Sequence, residues 1–215
     1  MSAPVFFETD AGVPRRELVP LVAPPVVLEG RTVRLEPLGL EHAPALASLC
    51  EDSLFAFFSV VLRTQEDVER FITRALGAAE KGTERPFVIL ERETGLPVGT
   101  TSYLDIQRDF RTLEIGWTWL GRRVWRTRVN TECKYLLLRH AFETLDVMRV
   151  QLKTDRRNAR SRAAIERMGG KLEGILRNHM LVRGGVVRDS AYYSVIDTEW
   201  PEVKARLEGF LLQGA

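Results

Sequence analysis

The 215-residue chain reads as a mixed α/β fold built around one central sheet. Three observations predict this. Short alternating or apolar runs of strand type come in two pairs, separated by the turn signals Glu93-Thr94-Gly95 and Gly184-Gly185. Helix-start signals stand at Thr64, at Asn130 or Thr131, and at Thr198-Glu199-Trp200-Pro201. Between residues 113 and 169, strand and helix patterns alternate around a loop studded with arginine.

Taken in order, residues 1–29 hold five of the ten prolines and no sustained period. They predict an extended, proline-rich N-terminal arm, because proline removes a backbone donor and biases its predecessor to extended geometry. Val5-Phe6-Phe7 and Leu18 to Val22 give the arm apolar residues with which to pack on the body. Residues 30–215 form a single domain. Thr32 to Glu36 alternates as a first strand that Pro37 ends, and Glu41 to Cys50 carries a helical pattern through Leu46 and Leu49. Thr64 caps a helix running to about Lys81, with Glu66 and Asp67 in its first turn. Phe87 to Leu90 and Pro97 to Asp105 make a hairpin, and Leu113 to Leu120 is the next strand. A helix over Asn130 to Leu145 follows the loop, with Tyr135, Leu138, Phe142 and Leu145 as its buried stripe. Arg149 to Thr154 is a strand, and Asn158 to Met168 a short helix stopped by Gly169-Gly170. Leu172 to Val182 and Val186 to Ile196 form a second hairpin, and the last helix carries Pro201 in its first turn.

The composition, 45% hydrophobic and 28% charged, excludes a disordered or fibrous chain and predicts a soluble globular protein. No apolar run reaches the ~18 residues of a membrane span, and no secretory signal is recognised, so no membrane partner is expected. Cys50 and Cys133 stand far apart and in no metal-binding spacing. That usage predicts a reduced, cytoplasmic protein without a metal site. The charge is unevenly placed. Arg122 to Arg167 holds 13 Lys/Arg against 5 Asp/Glu, although the whole chain nets only +2. The positive charge therefore gathers around one strand–loop–helix turn. A helix N-terminus there suits a polyanion of phosphate type, through its free N–H groups and positive dipole end.

Four ordered blocks carry a resemblance. They are Glu114-Ile115-Gly116-Trp117, Asn130 to Glu143, Asn158 to Glu166, and Arg188 to Ile196. Over roughly Gly30 to Glu208 the chain resembles the GNAT superfamily of acetyl-coenzyme A-dependent N-acetyltransferases, and within it the branch that acetylates the N-terminal amines of ribosomal proteins. The resemblance implies a mostly antiparallel, twisted sheet of about seven strands, splayed between the fourth and fifth and flanked by helices. It implies acetyl-CoA as cosubstrate and no metal.

The same resemblance supplies the candidate site. The backbone of Trp119 and Leu120 would pair with the pantetheine arm, and a freed N–H there would stabilise an oxyanion. The superfamily's pyrophosphate loop aligns with Arg123-Val124-Trp125-Arg126-Thr127-Arg128. Arg123 fits its first position, but arginines stand at both glycine positions. Glycine serves there by close backbone approach and positive φ, whereas Arg126 and Arg128 would grip phosphate through guanidinium groups. The N–H groups from Arg126 through Thr127 to Val129 would meet the diphosphate. Asn158 matches a cofactor-contacting asparagine, and as a helix N-cap it can hold both roles. Many members place a tyrosine seven residues after it to protonate the leaving thiolate; here Ile165 stands there, and Ser161 matches the serine of the ribosomal-protein branch. Glu114 is the candidate general base. A protein α-amine with a pKa near ~7.7–8.0 needs no stronger one.

The acceptor is a protein N-terminus or a small-molecule amine, and the loops around residues 53–63 and 106–111 together with the last hairpin would select it. A catalytically silent scaffold with a spoiled cofactor loop is the competing reading. The basic surplus would also suit nucleic acid, but no recognition motif supports that partner. Either a monomer or a homodimer is compatible with the sequence.

Overall fold

The structure, a computed structural model, describes residues 12–13 and 20–212. Its strands are β1 (Leu28–Glu29), β2 (Val33–Pro37), β3 (Arg85–Glu91), β4 (Pro97–Gln107), β5 (Thr112–Leu120), β6 (Arg149–Asp155), β7 (Lys171–Val182) and β8 (Val186–Ile196). The α-helices are α1 (Ala43–Ala47), α2 (Gln65–Glu80), α3 (Val129–Arg139), α4 (Ala159–Met168) and α5 (Trp200–Leu212). One sheet runs in the order β1-β2-β3-β4-β5-β6-β8-β7. Every neighbouring pair is antiparallel except β5 and β6.

The sheet has eight strands among the described residues rather than about seven. The extra one is β1, where Leu28 faces Leu35 and Glu29 faces Arg34. The end of the proline-rich stretch is thus tied to the body. Leu21, Ala23 and Leu28 are buried in the main core, and the Leu21 N–H donates to Arg108 O at 2.8 Å. Val5-Phe6-Phe7 lies outside the described residues.

The two faces of the sheet bury separate clusters. On one side α3, α4 and α5 cover the main core through residues such as Leu136, Leu137, Ile165 and Leu207. On the other, α1 and α2 press Leu46, Phe71 and Ile72 against Phe55, Val88 and Trp119. Helix α2 starts as its sequence predicts: Thr64 Oγ1 accepts from the Asp67 N–H at 3.1 Å, and Asp67 accepts from the Thr64 N–H.

Two helices differ from expectation. The pattern over Glu41 to Cys50 gives only a 3₁₀ turn at Leu40–His42 and the five residues of α1. Ser48 Oγ donates to Ala45 O and Cys50 Sγ to Leu46 O, so side chains satisfy carbonyls that a longer helix would have used. The helix expected to run unbroken to Leu145 is α-helical to Arg139 and then widens into a π turn, His140–Thr144. The buried Tyr103 hydroxyl donates to Leu137 O at 2.7 Å where the widening begins, and Leu145 N–H reaches back five residues to His140 O.

β5 and β6 pair only through Thr112↔Arg149, Leu113↔Val150 and Glu114↔Gln151. Beyond that point β6 stays with β8 along its whole length. β5 instead bulges against β4, with Trp117 at φ +48°. The two strands therefore separate like the arms of a V. This is the splay between the fourth and fifth strands of a seven-strand count.

Candidate active site

The separation of β5 from β6 opens a groove of about 1060 Å³. From Ile115 to Leu120, β5 has no strand partner on its β6 side among the described residues, which leaves that edge open to an extended ligand, although Trp117 O and Leu120 O already accept from Thr100 Oγ1 and Trp125 Nε1. Asn130, Thr131 and Lys134 of α3 form part of one wall, and Asn158, Ser161 and Ile165 from the α4 side form part of the other.

The loop into α3 is held by its own short-range bonds. Trp125 Nε1 donates to Leu120 O at 2.8 Å, and Thr127 Oγ1 donates to Val124 O at 2.7 Å. Between them Arg126 takes φ +62°, the left-handed conformation in which glycine is at ease. The backbone thus keeps the path that a loop glycine would give, even though an arginine occupies the position. Arg128 sits at the N-cap of α3 without a side-chain cap bond, so the helix start keeps its dipole uncapped, and its Asn130 and Thr131 line the groove.

Three guanidinium groups gather at this end. Arg160 lies over the Trp125 ring at 3.9 Å, and Arg122 lies on the same ring at 5.5 Å. Burial, and then the charges of Arg122 and Arg126, lower the Arg160 pKa from its usual value. Arg122 is paired with Glu51 at 2.7 Å. Arg126 has no acidic partner among the described residues and lines the groove. Cations held close enough to repel one another, beside a helix N-terminus, form a donor set that fits the phosphates of a coenzyme A nucleotide.

At the closed end of the V sits Glu114. Its side chain is 3% exposed and accepts from Lys153 Nζ at 2.8 Å and Gln151 Nε2 at 3.0 Å. Asn158 acts as the α4 N-cap, Oδ1 accepting from the Ser161 N–H at 3.1 Å, which leaves the Ser161 hydroxyl on the groove wall. Glu114, Trp119, Leu120, Arg126, Thr127, Asn158 and Ser161 therefore all line one groove.

Arg123, Arg128 and Val129 do not line it. Arg123 instead grips both oxygens of Glu91 at the end of β3, at 2.9 and 3.0 Å. Arg128 Nη1 donates to Leu211 O at 3.4 Å, binding the loop to α5. Val129 is buried, and its N–H is taken by Thr127 Oγ1 at 3.3 Å. The 53–63 loop supplies Ser53, Phe57 and Phe58 to the groove, whereas the stretch 106–111 contributes no lining residue. The motifs do not single out Lys134, Lys153 or Arg160. Helix register offers a sign of the first, since Lys134 follows Asn130 by one turn on the same face.

The description "Acetyltransferase (GNAT) domain" matches residues 32–171. The curated protein named "Uncharacterized N-acetyltransferase p20" of Bacillus licheniformis is 26% identical over 56% of this chain and 66% of its own length. "Putative ribosomal N-acetyltransferase YdaF" of Bacillus subtilis (strain 168) is 32% identical over 47% of this chain and 55% of its own. The chain thus spans less than two thirds of either curated relative. A crystal structure described as a "putative acetyltransferase" of T. thermophilus is 40% identical, with a TM-score of 0.81 over 89% of this chain and all of that one. The family match covers more than half of the sequence and includes the splayed strands and the loop–helix turn between them, so the chain belongs to the GNAT acetyltransferase family.

Proposed function

We propose that this protein transfers an acetyl group from acetyl-CoA to a primary amine, and that the amine is the N-terminal α-amine of a protein of ribosomal type. The family's donor is acetyl-CoA, which when bound supplies an activated thioester. The observation that carries the reading is the V between β5 and β6, with a cation-rich helix start at its open end and a shielded carboxylate at its closed end.

The chain's own groups divide the work. The unpaired edge of β5 holds an extended arm by strand-like pairing. Arg126, Arg160 and the start of α3 hold phosphate. Glu114 removes the proton of the incoming amine, directly or through water, while its bonds to Lys153 and Gln151 hold it in place. The Ser161 hydroxyl stands on the wall to hydrogen-bond the departing sulfur. The ribosomal acceptor is favoured by the name of the relative YdaF and by Ser161 in place of a tyrosine acid.

Isothermal titration tests the donor: acetyl-CoA is expected to bind with micromolar affinity, about −8 kcal/mol. No heat up to millimolar ligand would instead fit the catalytically silent scaffold. Turnover with peptides carrying a free N-terminal serine or alanine, set against polyamines and aminoglycosides, tests the acceptor. A rate confined to the small amines would overturn the ribosomal assignment.

The loop arginines give a separate expectation. Arg126→Gly relieves a left-handed arginine, yet it removes a loop cation that lines the groove without an acidic partner among the described residues. Its acetyl-CoA affinity is expected to fall about tenfold, as loss of one charged hydrogen bond implies. Arg128→Gly, whose side chain serves α5, is expected to bind as the wild type does. The reverse order in the same titration would reassign the phosphate grip.

A further inference from the structure

Lys134 makes no direct ion pair among the described residues, although the Glu114 charge acts on it from across the groove. The residue is 5% exposed, and its Nζ donates to Thr118 Oγ1 at 2.7 Å. Among the described residues it makes no other hydrogen bond and no ion pair. Lysine carries three N–H donors, so two find no protein acceptor among the described residues. Buried ammonium groups are costly unless a carboxylate or a set of acceptors surrounds them. Thr118 also exchanges a hydrogen bond with Thr101 Oγ1 at 2.8 Å, which fixes the hydroxyl that anchors the lysine. Lys134 lines the groove, which also takes in the stretch of β5 that has lost its β6 partner.

We propose that Lys134 is a ligand-binding donor for a carbonyl oxygen, amide or thioester, of the acyl-carrying arm laid along β5. The proposal rests on the acetyl-CoA reading above and adds to the β5 edge a charged contact that backbone pairing cannot supply. A carbonyl oxygen arriving at Nζ gives the ammonium the acceptor it lacks. This also explains why a lysine stands where a leucine or methionine would pack more cheaply.

The test uses the full chain, acetyl-CoA as probe and the Lys134→Met variant, which keeps the length and volume of the side chain. Acetyl-CoA affinity is expected to fall by about ten- to a hundredfold. The unfolding temperature of the ligand-free variant is expected to hold or rise, because an unpaired buried charge has been removed. A lysine serving only to brace Thr118 would give the opposite pair, lower stability with affinity unchanged, and that result overturns the proposal.

Wild-type protein supplies a second measurement that needs no variant. Desolvation in the groove lowers the Lys134 pKa to about 8. The ammonium is therefore mostly present at pH 7 and is lost as pH rises through that value. Wild-type affinity should weaken between pH 7 and 9, and Lys134→Met should lack that slope. The other charged groups around the groove are Glu114 on β5, Lys153 on β6, Arg160 and Arg167 on α4, Arg188 on β8 and the loop arginines. The guanidinium groups stay charged across this range. Cys133, beside Lys134 on α3, is pushed up to about 12 by burial. A flat wild-type profile overturns the proposal, as does an acetyl adduct on Lys134 after incubation with acetyl-CoA, which would make it a nucleophile. Wild-type protein that binds no acetyl-CoA sinks the functional reading itself, whereas binding that Lys134→Met leaves intact sinks only this inference.

Discussion

Replacing Glu132 by alanine will destabilise the protein by about 4 kcal/mol, the order expected when three charge-assisted bonds are lost together and do not add fully. Glu132 is the fourth residue of α3, and its carboxylate is buried against the start of β2. It accepts the N–H groups of Arg31, Thr32 and Val33 at 2.7, 2.7 and 2.8 Å. Arg31 and Thr32 precede β2, so for them the side chain does what a neighbouring strand would do. Gly30 is part of the same arrangement. A Cβ there would stand 2.6 to 2.9 Å from the carboxylate, which needs the bare backbone to come so close.

Glu132→Gln should recover only part of the loss, because one of its two polar atoms becomes a donor facing donors. Urea unfolding measures the effect as a lower midpoint at constant slope. A change below about 1 kcal/mol would mean that water replaces the carboxylate at the three amides. The loss reaches function as well. Glu132 lies between Thr131 and Lys134, both on the groove wall, so loosening it frees the helix start that borders the groove.

Where the sequence is legible, local chemistry decides the outcome. The Thr64 cap, the Gly184-Gly185 tip with φ of +66° and +78°, and the Gly169 stop at φ +107° each follow from one or two residues. Where it is not, a distant group intervenes. Nothing near His140 announces a π turn, because the cause is a tyrosine hydroxyl on β4. The two residues of β1 escape notice because proline obscures the pattern around them and their pairing is made by β2.

The site divides in the same way. Glu114, Asn158 and Ser161 belong to ordered motifs and share the groove. The arginines can be counted from sequence but not aimed. Arg123 and Arg126 stand three residues apart in one basic loop, yet one faces Glu91 and the other lines the groove. The short helix-like turn at Arg122–Val124 sets that difference, and no charge count contains it.

Glu114→Gln is expected to lower kcat by about a hundredfold or more, the usual scale for removing a positioned base, with acetyl-CoA affinity within about twofold of wild type. Glutamine keeps the shape, and its oxygen can still receive Lys153 or Gln151, so the groove should survive the change. The pH profile then carries the argument. Without a carboxylate to take the proton, turnover should climb with pH as the acceptor ammonium gives its proton to solvent and becomes neutral, through its pKa near ~7.7–8.0. A purely structural carboxylate makes a different prediction. Glu114 is the ion-pair partner of Lys153, so a slow Glu114→Gln enzyme would in that case merely suffer from an uncompensated ammonium beside the acceptor. Adding Lys153→Met removes that ammonium and restores the charge balance of the pocket. If the double variant regains the wild-type rate, Glu114 serves only to neutralise Lys153. If it stays slow at pH 7 and still gains rate with alkali, the missing function is proton removal, and the shielded end of the V is where the acceptor amine is made nucleophilic.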